Sequence, residues 1–176
     1  MVRFPDRRQA GRLLSELLRD AASSGDAVVI ALSRNGLPVA DEVATALRAP
    51  LQLLERDEYC SFRTEIVPRR RTPMGLRGRT VILTDDGFGD AARLKEAAVQ
   101  LRRECPARII AAAPVALLGV ATDVGGVIDR VVALAAPRPF RSVAFWYDDS
   151  PLRRIPLAPR AMRAPALRFA GTLPVC

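Results

Sequence analysis

The stretch Thr80–Ala98, TVILTDDGFGDAARLKEAA, decides the fold. Thr80 to Leu83 read as a buried strand, Thr84 leads into the adjacent carboxylates Asp85 and Asp86, and Gly87 and Gly89 mark a turn. From Leu94 the apolar positions recur at Ala97, Ala98 and Leu101, the spacing of one helix face. A strand that stops at acids and restarts as a helix marks the carboxyl end of an open α/β sheet, where such sheets bind their ligands.

On either side the same alternation continues. Arg7 to Ala22 predicts a helix, with Ala10, Leu13, Leu14, Leu17, Leu18 and Ala21 on the face that covers a sheet. The apolar run Ala27 to Leu32 predicts a fully buried parallel strand. Ser33 to Gly36 is a tight polar turn, and Pro38 suits the first turn of a helix whose buried side is Val39, Ala40, Val43, Ala44 and Leu47. Leu51 to Leu54 is expected as a strand, Glu55 to Arg79 as an irregular charged segment, and Ala91 to Arg103 as a helix. Strands follow at Arg108 to Ala113 and Val131 to Leu134; between them Gly125 and Gly126 weaken any helix. Strands separated by helices predict one α/β domain, a parallel sheet with right-handed crossovers and flanking helices. The domain is expected over residues 1–150, followed by a basic, proline-rich extension, 151–176, with five prolines and little periodicity. That tail is expected to pack on its own domain or to reach across a dimer partner.

Composition narrows the function. A chain of 176 residues, 49% hydrophobic, is enough for one domain with a core and too short for two ordinary ones. No window has the apolar length of a membrane span, and MVRFPDRRQAG lacks the apolar centre of a signal peptide, so a cytoplasmic protein without membrane association is expected. Cys60, Cys105 and Cys176 form no Cys-x-x-Cys pair and suggest neither a disulfide framework nor a zinc site. Histidine is absent, which removes Ser-His-Asp and Cys-His catalysis and histidine metal sites. Acid–base work is left to carboxylates, tyrosines and Lys95, the single lysine. The net charge of +8 admits a nucleic-acid partner, but five arginines and no acid lie in the last 26 residues, leaving 8 minus 5, or +3, for the rest.

Val81 to Ala92 resembles the phosphoribosyl diphosphate signature of the type I phosphoribosyltransferases: an apolar strand, two acids, then a loop of the form Gly-x-x-Thr-Gly-x-Thr. Leu32 to Ala40, LSRNGLPVA, is similar to that family's pyrophosphate loop, and Ala112 to Ala116 with the aromatic run Phe140 to Tyr147 falls where the family has its last strands. The resemblance implies transfer of a phosphoribosyl group from phosphoribosyl diphosphate, with Mg2+, to a nucleobase or similar nitrogenous base, pyrophosphate being released. It implies a homodimer as well. Asp85 and Asp86 would hold the ribose hydroxyls and, through the diphosphate, help position the metal; hydroxyl donors and a hard cation both seek carboxylate oxygens. Gly87, Phe88, Gly89, Asp90, Ala91, Ala92 and Arg93 would form the loop for the 5′-phosphate, and Arg34, Asn35 and Gly36 the seat of the pyrophosphate. Glu55 to Arg79, with Arg56, Arg63 and the run Arg69 to Arg71, stands where the family has a mobile hood. Trp146 or Tyr147 would face the base, while Phe140 and Phe145 would pack the core.

Within the loop this chain departs from the pattern. Asp90 stands in place of a threonine, Ala91 of a glycine and Arg93 of a second threonine. Arg93 either replaces the lost phosphate contacts or pairs with Asp90, three residues before it. A second expectation therefore stands beside the enzyme: a catalytically impaired homologue serving as a nucleotide-sensing or a protein- or RNA-binding module.

Overall fold

The computed structural model describes residues 3–22, 25–56, 62–66 and 75–149. The elements run α1 (Arg7–Leu18), β1 (Ala27–Ala31), α2 (Leu37–Leu47), β2 (Leu51–Arg56), β3 (Phe62–Ile66), β4 (Thr80–Thr84), α3 (Ala92–Arg102), β5 (Arg108–Val115), α4 (Val120–Asp123) and β6 (Arg130–Ala135). They build a six-stranded sheet in the order β3-β2-β1-β4-β5-β6. All neighbouring pairs are parallel except β2 and β3, which are antiparallel at one edge. The parallel sheet with flanking helices is the fold that the sequence predicts.

Local chemistry explains the helix ends. Asp6 has extended backbone and its side chain accepts the amide of Gln9 at 2.7 Å, so it starts α1. Pro38 occupies the first turn of α2, and Arg48 ends that helix in the left-handed region, φ 53°. In β1 and β4 every residue is buried, and alternate side chains meet helices on opposite faces. Val29, Ala31, Ile82 and Ile110 pack with Leu14 and Leu18 of α1 and Val39, Ala40, Val43 and Ala44 of α2. On the other face Val28, Ile30, Val81, Leu83 and Ile109 pack with Leu94, Ala97, Ala98 and Leu101 of α3. A third cluster, of Phe4, Ala10, Val115, Ala135, Trp146 and Tyr147, closes the end of the sheet.

The sheet order places the site. From β1 the chain moves outward through α2 to β2 and β3, then returns to the opposite side of β1 to form β4, β5 and β6. The winding reverses between β1 and β4, and it is outside the strand ends at such a point that open α/β sheets bind their ligands. The loops that follow β1 and β4 there are Leu32–Gly36 and Asp85–Ala91.

Three expectations differ from the structure. Leu13 is 48% exposed, because the buried stripe of α1 runs through Ala10, Gly11, Leu14, Ser15 and Leu18 and turns Leu13 outward. The charged segment after Leu54 is not irregular throughout: β2 continues to Arg56, and the alternating FRTEI forms the edge strand β3. The aromatic run from Phe140 to Tyr147 is no strand; Val143–Trp146 form a 3₁₀ turn, and Tyr147 makes a single bridge to Phe4. The weak stretch between β5 and β6 holds one helical turn, α4. Residues 151–176 and the run Arg69 to Arg71 lie outside the described residues. No helix among the described residues is long and apolar enough to cross a membrane.

Candidate active site at the carboxyl ends of β1 and β4

Asp85 and Asp86 follow the last residue of β4 at the strand-to-helix junction that the sequence predicts, and both are buried, 6% and 7% exposed. Their surroundings differ. Asp85 Oδ1 accepts the Ser33 hydroxyl at 2.5 Å and the amide of Asp86 at 2.9 Å, so it ties the loop after β4 to the loop after β1. The Ser33 hydroxyl in turn accepts the amide of Gly36 at 3.1 Å. Gly36 lies against Asp85 so closely that a Cβ there would stand 2.8 Å from the Asp85 Cα and overlap Oδ1. The structure thus brings Arg34, Asn35 and Gly36 beside the acid pair, with Arg34 and Asn35 exposed.

Asp86 is held from another direction. Its Oδ2 accepts Nε of Arg7 at 2.9 Å and pairs with the same guanidinium at 2.8 Å. Arg7 also reaches Asp149 Oδ1 at 3.1 Å and lies 4.5 Å over the ring centre of Tyr147. The Tyr147 hydroxyl donates to the carbonyl oxygen of Asp86. Burial, with the charge of Asp86, pushes that hydroxyl well above its usual range, so it stays protonated and keeps donating.

The rings expected to face a base are therefore corrected. Trp146 and Tyr147 are 1% and 0% exposed; Trp146 packs edge-on to Phe145 with ring centres 5.1 Å apart, and Tyr147 anchors Asp86. Phe140 and Phe145, expected in the core, are partly buried against the same cluster.

The loop after Asp86 is engaged along most of its length. The amide of Phe88 donates to Val115 at 2.9 Å and its carbonyl accepts Leu117 at 2.8 Å, so the loop is zipped to the end of β5 and the Phe88 ring is buried. Gly87 is required by packing: a Cβ would stand 2.7 Å from Val143 Cγ1. Gly89 and Asp90 are exposed, Ala91 is the N-cap of α3, and Ala92 opens the helix. Asp90 Oδ1 accepts the amide of Ala92 at 3.0 Å and that of Arg93 at 3.5 Å. The Arg93 guanidinium donates to the carbonyl oxygen of Leu32 at 2.7 Å, which links α3 to the root of the loop after β1. Arg56 and Arg63 belong to β2 and β3, with Arg56 opposite Phe62 and Arg63 opposite Glu55, so the start of the expected hood extends the sheet.

Sequence reasoning missed Arg7, Ser33 and Asp149. Ser33 carries a signal in retrospect, a hydroxyl at the apex of a β–α turn; Arg7 and Asp149 carry none, since their partner lies far away along the chain.

Burial pushes the Asp85 carboxyl up to about 6, the charge of Asp86 adding to the rise while the Ser33 hydroxyl and Arg93 oppose it. For a carboxyl raised in the fold, stability is present below the unfolded value of 3.8 and is lost as the pH rises through about 6. Asp85→Asn keeps an oxygen for Ser33 and the Asp86 amide but carries no charge. It is expected to raise stability at pH 7.5 by on the order of 2 kcal/mol, with the gain vanishing near pH 4. Denaturant titrations of both chains at the two pH values check this.

Residues 7–121 match the phosphoribosyl transferase domain family. A Mycobacterium tuberculosis protein provisionally named a phosphoribosyl transferase is 29% identical over 196 aligned positions, covering 85% of this chain and 44% of its own length. The chain thus spans less than half of that relative. Among solved structures, TT1426 of Thermus thermophilus superimposes with a TM-score of 0.67 at 26% identity, covering 83% of this chain and 90% of that one. The orotate phosphoribosyltransferase of Aeropyrum pernix shares the fold, with a TM-score of 0.55 at 22% identity over 72% of this chain and 68% of its own. The chain belongs to the phosphoribosyl transferase domain family.

Proposed function

We propose that the crevice takes phosphoribosyl diphosphate with Mg2+, transfers the phosphoribosyl group to a nitrogenous base and releases pyrophosphate. The observation that carries this reading is the junction of the two loops, Ser33–Gly36 and Asp85–Asp86, at the point where the winding of the sheet reverses. Asp85 takes the ribose hydroxyls, with Asp86 behind it, and the turn at Arg34, Asn35 and Gly36 takes the pyrophosphate. In the transfer the bond from C1 to the pyrophosphate oxygen breaks with its electron pair, a base nitrogen bonds to C1, and the nitrogen's proton is lost. No histidine is needed, because the work is positioning and charge stabilisation.

The acid pair fits a magnesium ion carried mainly by the ligand. Asp85 is engaged through Oδ1 and Asp86 through Oδ2, so each keeps one oxygen for the ion or the sugar. An ion here would be shared between one or two carboxylates and the diphosphate. When bound, the ion would neutralise charge on the leaving pyrophosphate.

A second reading, a ligand-sensing domain that no longer turns over, is favoured by Asp90, whose carboxylate occupies the first amides of α3. Calorimetric titration with the magnesium diphosphate sugar, alongside an assay of pyrophosphate release with a panel of bases, separates the two. Binding and release are expected for the enzyme, binding alone for the sensor. Absence of heat at millimolar ligand, or binding indifferent to Asp85→Asn combined with Asp86→Asn, overturns both.

A further inference from the structure

Backbone amides around the junction of the two loops are largely spent. Those of Gly36 and Leu37 bond within their own turn, to the carbonyl oxygens of Ser33 and Arg34 at 3.1 and 3.3 Å, and those of Ala92 and Arg93 bond to Asp90. Side chains are left as the main source of donors for an anion. Arg7 is not among them, since its guanidinium is taken by Asp86 and Asp149. Arg93 is placed differently. It belongs to the exposed first turn of α3, and its Nη2 donates to the carbonyl oxygen of Leu32 at 2.7 Å, at the root of the turn after β1. That single bond holds the guanidinium between the two loops and leaves its other N–H groups unspent. No carboxylate among the described residues pairs with it, because the Asp90 side chain goes to the helix amides instead. Its charge is felt at Asp85, where burial raises the carboxyl and Arg93 is among the influences that oppose the rise. An anchored cation without a counter-ion thus stands beside Asp85, on the side of the turn Ser33–Gly36.

We propose that Arg93 is the anion-binding side chain of this junction: it reaches across from α3 to the turn after β1, and the anion it takes is the diphosphate. This rests on the phosphoribosyl reading above and adds to it a residue from the opposite loop. A guanidinium fixed through one N–H can still offer a pair of parallel donors to phosphate oxygens, a geometry that an ammonium cannot match. It would also balance the negative charge that grows on the departing pyrophosphate, work that needs no histidine. Loss of a charge-assisted contact of this kind lowers affinity by roughly tenfold to a hundredfold.

Calorimetry on the full chain, with magnesium pyrophosphate and inorganic phosphate as probes, tests the assignment in wild type, Arg93→Met, Arg93→Gln and Arg93→Lys. Arg93 is exposed, and all three replacements are good helix formers, so the fold is retained. Arg93→Met is expected to bind magnesium pyrophosphate at least tenfold more weakly than wild type. Arg93→Gln, whose amide can still donate to the Leu32 carbonyl but carries no charge, is expected to lose as much, and Arg93→Lys, which keeps the charge, to lose less. A purely structural tie to Leu32 would instead leave Arg93→Gln with wild-type affinity. That result, or equal affinity in all four chains, overturns the proposal and leaves the phosphoribosyl reading standing. If wild type does not bind magnesium pyrophosphate, the phosphoribosyl reading falls and inorganic phosphate decides the role of Arg93. Phosphate binding that is weakened tenfold in Arg93→Met upholds Arg93 as the anion site, whereas binding that is absent, or the same in both chains, removes it.

Discussion

Arg7→Met is expected to destabilise the fold by about 3–5 kcal/mol, a fall in melting temperature of roughly 10 °C for a chain of this size. The guanidinium is mostly buried, 16% exposed, and its partner Asp86 is 10% exposed at the side chain. Methionine fills much of the same volume over the Tyr147 ring but supplies no donors, so Asp86 is left as a buried charge without its counter-ion. Most of the loss is the cost of that stranded charge rather than the worth of the pair. It follows that Arg7→Met combined with Asp86→Asn recovers most of the stability, and a thermal-unfolding double-mutant cycle measures this. A double variant as unstable as Arg7→Met alone would show that the packing of Arg7 on Tyr147, not the charge, is what counts.

Gly36→Ala is expected to cost about 3 kcal/mol and to weaken ligand binding in parallel. The added methyl would stand 2.8 Å from the Asp85 Cα, within a sheet whose β1 and β4 neighbours fix the backbone on both sides. Either the turn after β1 or the loop after β4 has to move, and both routes disturb the hydrogen bond from Ser33 to Asp85. Trimming Asp85 to alanine in the same chain removes the overlap with Oδ1 but not with the Cα, so only partial recovery is expected. Unfolding curves for the two chains, with titration of magnesium pyrophosphate into each, give the measurement. Wild-type stability in Gly36→Ala would mean that the two loops separate freely in solution.

The fold was legible because its signals are local. The buried run of β1, the acids at the end of β4, and the 3.6-residue spacing of α3 each occupy a short window, and the structure has them where that spacing puts them. Edge and end elements were harder. FRTEI alternates charged and apolar residues as an edge strand does, but its length and charge also suit a solvated loop. Trp146 and Tyr147 look the same in sequence whether they face a ligand or close a core, and the choice is made by Phe4 and Ala10, which no local pattern connects to them. The candidate site divides in the same way. Both loops could be read from the chain, whereas the anchoring of Asp86 by Arg7 and Tyr147, and the turning of Arg93 toward Leu32, depend on contacts between distant segments.

Phe4 and Tyr147 are joined by a β-bridge, with the amide of Phe4 donating to Trp146 and that of Asp148 to Phe4, both at 2.9 Å. Arg7 stands three residues beyond one side of this clasp and Asp149 two beyond the other, and both hold the same guanidinium-centred knot. A nick, a truncation or a bulky neighbour at either side would slacken a tether whose far end is a carboxylate of the crevice. The outer margins of the domain are thereby mechanically wired to the acid pair at the end of β4.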